Sequence, residues 1–373
     1  MTQFQYFLAI LAGGLCVITF ALPFGVAGDT LLTAWSFWPL GAFLVLTFLV
    51  LVLGRSRLHP ALPGLLAVAG GIVLLVGLGW LTAAAATGFW VLLLLCWVLA
   101  WLFAERLTAD VRAGRVEGNV AMSLIPLMLG AAVLVVWEAV TRGAEIPFVI
   151  MPPPSAIWER LIGNIPMLVA DFQQTFLKAV LAGYVLGCGL GFVVAILIDR
   201  SPFLKRGLLP LGNFVSALPM VGIAPITVLW FGFDWPSKAA VVVIMTFFPM
   251  LVNTVAGLNA SGSLERDMMR TYAASYWQTL FKLRLPAAAP FIFNALKINS
   301  TLALIGAIVA EFFGTPVVGM GFRISTAVGR MDVDLVWAEI AVAAVAGSAF
   351  YAVIAFIERG VTFWHPSVRG GRA

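Results

Sequence analysis

The chain has 373 residues, 62% of them hydrophobic and only 10% charged. Soluble proteins carry about 25% charged residues, so a soluble enzyme, a disordered tail and a nucleic-acid binder are excluded together. The net charge of +5 is read as topology, because basic residues in membrane proteins report orientation.

A helix crossing ~30 Å of hydrocarbon needs about 20 apolar residues. Windows of that kind fall at 6–26, 35–53, 62–82 and 84–104, then at 120–140, 176–198, 208–233, 239–258, 288–313 and 336–357. Residues 62–104 as one helix would be about 65 Å long at 1.5 Å per residue, so the chain turns back between Thr82 and Gly88. The expectation is an all-α polytopic membrane protein of about ten transmembrane helices. No Lys or Arg precedes Arg55, so the first span lacks the cationic leader of a removable signal and is retained. Cys16, Cys96 and Cys188 sit in apolar runs and read as small buried hydrophobes.

With a cytoplasmic amino terminus, fifteen Lys and Arg residues fall in one set of loops and five in the other. The positive-inside rule then places both termini in the cytoplasm. The polar stretch 105–119 divides a four-helix N-terminal module, 1–104, from a six-helix core, 120–373.

In the core, the external run MPPPSAIWERL reads as a break followed by an amphipathic helix that Ser155 caps. Residues 259–286 (NASGSLERDMMRTYAASYWQTLFKLRLP) form an internal loop with two short helices. The first carries Leu264, Met268, Met269 and Tyr272 opposite Glu265, Arg266 and Arg270. The second presents Trp277, Leu280 and Phe281. Gly183, Gly187 and Gly191 recur at the spacing that lets helices approach closely. Pro210, Pro219 and Pro225 interrupt the third core span, and broken helices are tolerated where they line a cavity or pack in protein. The expected translocation path is Ser216, Pro219 and Pro225, with Glu311 at the outer end of its helix. Lys297 is expected to snorkel inward.

The loop resembles the E-A-A loop of ABC importer permeases. Asp267-Met268-Met269 stands at the triplet, Ala273 at the family's glycine, and Leu283-x-Leu285-Pro286 at the I-x-L-P ending. The runs ALPMVGIAPITVLWFGF, SKAAVVVIMTFFPMLVNTVAGL and LKINSTLALIGAIVAEFFG are similar to core spans of the nitrate/sulfonate/taurine-type subfamily. The resemblance covers about residues 120–368 and leaves the first four spans without a counterpart.

It implies a permease of the bacterial inner membrane with no catalytic activity, cofactor or metal of its own. Its partners would be ABC ATPase subunits, an external solute-binding protein, a second permease copy (identical or paralogous) and membrane lipid. Leu264, Asp267, Met268, Met269, Arg270, Ala273, Leu283, Leu285 and Pro286 would form the ATPase-coupling loop. Because glycine permits a tight bend, Ala273 predicts a gentler or shifted one.

No G-x-x-x-x-G-K-[ST] phosphate loop occurs, so ATP would be hydrolysed by another chain. An ion-coupled secondary transporter is the alternative, although its usual intramembrane carboxylates are few here. The resemblance implies a small oxyanion or a compact pyrimidine-like heterocycle as substrate, and the unusual front module and apolar path favour the second.

Overall fold

The computed structural model describes residues 2–53, 59, 61–116, 118–201, 203–204, 206–207, 219–314 and 317–364. Helix dominates throughout, and the protein is an all-α polytopic membrane protein. Among the described residues, eight helices are long and apolar enough to cross a membrane, and two more apolar helices are shorter. Each of the ten windows read from the sequence overlaps one of these ten helices. The two short ones fall in windows 35–53 and 208–233, and most of the first half of the latter, with Pro210 and Ser216, lies outside the described residues.

The chain divides into two compact units, Met1–Trp158 and Glu159–Ala373. The first contains α1 (Gln3–Ala21), α2 (Trp38–Leu53), α3 (Ala61–Leu78), α4 (Thr87–Arg112) and α5 (Gly118–Gly143). A short antiparallel hairpin, Gly25–Ala27 with Thr30–Leu32, follows α1. The turn between α3 and α4 is tied to that side of the unit. Thr82 N–H donates to the Val26 carbonyl at 3.0 Å, and Gly88 N–H to that of Pro23 at 2.9 Å. A Cβ on Gly88 would lie 2.6 Å from the Pro23 oxygen, so glycine is needed for the approach. Phe24, Phe37 and Phe89 fill the space beneath. Trp35 and Trp38 are left exposed beside the hairpin, where interfacial tryptophans serve as belt residues. All three cysteines are free and buried.

Helix α6 (Pro154–Gly163) links the units. Glu138 is its cap, in place of the expected Ser155. The Ser155 N–H and hydroxyl both donate to the Glu138 carboxylate, at 3.0 and 2.7 Å, which suits a negative charge at a helix start.

The second unit contains α7 (Ile165–Arg200), α8 (Met220–Phe231), α9 (Trp235–Asn259) and α10 (Ser263–Thr271). It is completed by α11 (Tyr276–Glu311), α12 (Met320–Gly329) and α13 (Val333–Val361). Helix α9 packs against α7 and α11. Gly183, Gly187 and Gly191 form its contact strip on α7. A Cβ on Gly183 would come within 2.5 Å of Val242 Cβ, one on Gly191 within 2.5 Å of the Phe247 carbonyl, and one on Gly187 would overlap the Thr246 hydroxyl. With little hydrophobic drive between helices in lipid, such backbone approach is the main source of association.

Two elements differ from expectation. The second loop helix does not stand alone: Trp277, Leu280 and Phe281 lie in the opening turns of α11, which continues past Pro286 and Pro290. A π-helical stretch, Leu280–Arg284, makes the join. A longer one, Gln173–Val180, lies within α7. Such stretches relax the α register and are frequent at functional sites; apolar periodicity carries no sign of them.

Candidate functional site

Helix α10 is nine residues long and buries no side chain. Leu264, Met268 and Tyr272 are largely exposed, while Met269 is half-buried. Asp267 and Arg270 pair at 3.5 Å in full view of solvent, a contact that contributes little to stability. Arg266 folds back onto the carbonyls of Ser261 and Gly262. The helix is thus a short rod held at its ends, with an apolar face unused by its own chain.

Its carboxyl end is a Schellman turn. Ala274 N–H donates to the Met269 carbonyl at 3.0 Å and Ala273 N–H to that of Arg270 at 2.9 Å. The left-handed residue this turn requires is Ala273, at φ 53°. The expectation of a gentler or displaced bend is therefore corrected: the bend keeps the glycine position and alanine adopts the conformation. A left-handed residue with a Cβ costs about 1–2 kcal/mol. Ala273→Gly is accordingly expected to stabilise the turn by about 1 kcal/mol, slowing exchange of the Ala273 and Ala274 amides roughly fivefold. Unchanged or faster exchange would contradict this.

Ser275 begins α11 with a capping box: its hydroxyl accepts from Gln278 N–H at 3.3 Å, and its own N–H donates to Gln278 Oε1 at 2.8 Å. Leu283, Leu285 and Pro286 are half-buried. Between Leu283 and Leu285, Arg284 forms a two-pronged pair with Asp199, each contact 2.6 Å. Sequence reading passed over both residues, which lie 85 positions apart. The only trace is that each is a charge at the margin of an apolar window.

At the far end of α11 lies a carboxylate knot. Glu311, the last residue of the helix, is buried. It accepts from the Thr175 hydroxyl at 2.8 Å and from Gly321 N–H at 2.7 Å. Asp171, fully buried, accepts from Gly319 N–H at 2.6 Å and from Arg323 Nε at 2.8 Å. Met320 N–H donates to Thr175 Oγ1 at 2.8 Å. Three successive backbone donors at the start of α12, from its N-cap Gly319 to Gly321, are thus taken by side chains of α7 and α11. Glycine is required on both sides of Met320: a Cβ at 319 would sit 2.8 Å from the Glu311 carboxylate, and one at 321 would strike the Ile308 carbonyl. The π-helical stretch also contributes Gln174, which donates to Asp234 Oδ1 at 2.6 Å. The Trp235 N–H first, then Gln174, hold the Asp234 carboxyl below the usual carboxylate range.

Of the expected path residues, Glu311 belongs to this knot, Pro219 precedes α8 and Pro225 lies inside it. Lys297 pairs with Glu358 at 2.7 Å, both side chains mostly buried.

A sequence profile described as "Binding-protein-dependent transport system inner membrane component" matches residues 183–363, from the glycine strip to the end of α13. A probable ABC transporter permease protein of Haemophilus influenzae is 34% identical over 217 residues, covering 58% of this chain and 88% of that protein. The chain belongs to this permease family. A formylaminopyrimidine transport permease of Halalkalibacterium halodurans is 30% identical over 242 residues, 65% of this chain and 96% of the relative. A putative aliphatic sulfonates transport permease of Bacillus subtilis is 28% identical over 247 residues, 65% and 88% of the two chains. The protein is therefore a multi-pass permease subunit of an ABC importer, of the nitrate/sulfonate/taurine type. Membership displaces the ion-coupled alternative.

Proposed function

We propose that α10 is the docking helix for a separate ATPase on the cytoplasmic side, and that ATP is bound and hydrolysed there rather than by this chain. The observation that carries this is the exposed apolar face of Leu264, Met268 and Tyr272 on a rod with no fully buried side chain. An apolar helix face of that kind fits a groove on a partner. Met268 and Met269 supply a deformable surface, flanked by Asp267 and Arg270 as the polar edge. Leu283, Leu285 and Pro286 fix where α11 departs.

Both termini are then cytoplasmic, in agreement with the bias of basic residues, and the carboxylate knot faces outward. A solute-binding protein delivers a small solute to the knot side, and a second permease copy completes the passage, with α8 and its two prolines beside it. Residues 1–104 are an added membrane module, joined through 105–119 to the transporting core 120–373.

Labelling of Met268→Cys tests the docking. The native cysteines are buried, so the introduced thiol is the accessible one. A membrane-impermeant maleimide is expected to react with it from the cytoplasmic side, and assembly with the ATPase to protect it. Reaction from the outer side, or no protection by the ATPase, would contradict the proposal.

A further inference from the structure

We infer that Asp199, Arg284 and Tyr276 form the strut that carries movement of α10 into the membrane-spanning helices. The inference rests on α10 being the ATPase docking helix and names the residues by which that site acts.

The Arg284 guanidinium meets Asp199 with two parallel hydrogen bonds of 2.6 Å, both side chains largely shielded from solvent. Arg284 Nε donates to the Leu258 carbonyl at 3.0 Å, and the Tyr276 hydroxyl donates to Asp199 Oδ2 at 2.9 Å. Asp199 is next to last in α7 and Leu258 next to last in α9, while Tyr276 and Arg284 open α11. One guanidinium therefore gathers three helix ends. It occupies a terminal carbonyl that has no partner within its own helix. The forked geometry fixes direction as well as distance, which a lysine at the same place would not do.

The location turns this contact into a transmission element. Rigid junctions lead from α10 to it: the Schellman turn through Ala273, then the Ser275 capping box, then Tyr276 itself. Arg284 closes the π-helical stretch Leu280–Arg284, where helix register is most easily altered. Arg200, next to Asp199, lies 5.8 Å over the rings of both Tyr276 and Trp277. This second contact keeps the end of α7 in step with the start of α11. A displacement of α10 is thus delivered to α7, the helix that also carries Asp171 and Thr175 of the carboxylate knot. Coupling of this type needs only rigid bodies and an intact joint. Without the joint, α10 can follow the ATPase while α7 stays behind.

The test uses the full permease assembled with its ATPase and solute-binding protein in lipid nanodiscs. ATPase stoichiometry and stimulation of ATP hydrolysis by the binding protein are measured together. Arg284→Ala is expected to retain the ATPase at the unmodified level and lose stimulation about tenfold, within the 5–150-fold range of ordinary coupling. Tyr276→Phe should lose part of it, and Asp199→Arg combined with Arg284→Asp should recover at least half. Should Arg284→Ala fail to insert, Arg284→Lys and Tyr276→Phe decide. Full stimulation in Arg284→Ala, or in both conservative variants, overturns the strut. If Asp267→Lys or Met269→Glu in parallel releases the ATPase, that failure is the strut's alone. If Asp267→Lys and Met269→Glu both retain the ATPase, the docking helix itself is refuted.

Discussion

Asp171→Ala is expected to be the most damaging single substitution in the second unit, lowering its stability by roughly 3–5 kcal/mol. The carboxylate is fully buried and is the acceptor for both the Arg323 side chain and the Gly319 N–H. Its removal leaves a mostly buried guanidinium without its counter-charge and a backbone donor without an acceptor. Desolvated groups of either kind are far costlier unpaired than their pairing is favourable. Thermal unfolding of the purified permease in detergent should show a lower midpoint for Asp171→Ala. Arg323→Ala should also be costly, because it strands the fully buried Asp171 carboxylate, which retains the Gly319 N–H as a donor. The double substitution should cost clearly less than the sum of the two, the signature of groups in direct contact. Additive effects, or a midpoint unchanged in Asp171→Ala, would show that the knot is not what fastens α12 to α7.

Much of this arrangement was legible in the sequence because apolar length alone specifies a membrane span. The turn between Thr82 and Gly88, the ten apolar windows and the exposed loop helix all follow from where hydrophobic runs stop. The glycine strip was legible for a related reason, since only a regular spacing of missing side chains brings α7 onto α9. What stayed hidden are pairings between distant positions. Asp171 and Arg323 lie 152 residues apart, Asp199 and Arg284 lie 85 apart, and nothing in the local pattern of either marks its partner. Lys297 illustrates the same gap, because its partner Glu358 lies in another helix. Ala273 shows a different one. Sequence chemistry disfavours alanine in a left-handed turn, but the two hydrogen bonds of the Schellman motif and the capping box after it hold the conformation regardless. The π-helical stretches have no compositional signature, yet they help place Thr175, Gln174 and Arg284.

The second large effect falls on assembly rather than stability. Asp267→Lys reverses a charge on the exposed edge of α10, and Met269→Glu puts a carboxylate into its apolar side. Neither touches the buried interior, since α10 buries no side chain and the Asp267–Arg270 pair is solvent-exposed. Insertion and thermal stability should therefore remain close to those of the unmodified permease. Docking should fail, because Met269→Glu puts an unpartnered charge into an apolar groove at several kcal/mol, Asp267→Lys reverses the charge that the groove's rim must match, and each 1.4 kcal/mol is a tenfold loss of affinity. The deciding measurement is the ATPase-to-permease ratio after co-expression and purification through a tag on the permease. The docking helix predicts that both variants insert normally and come away with less than a tenth of the ATPase bound by the unmodified chain. Full ATPase stoichiometry in both variants would contradict it.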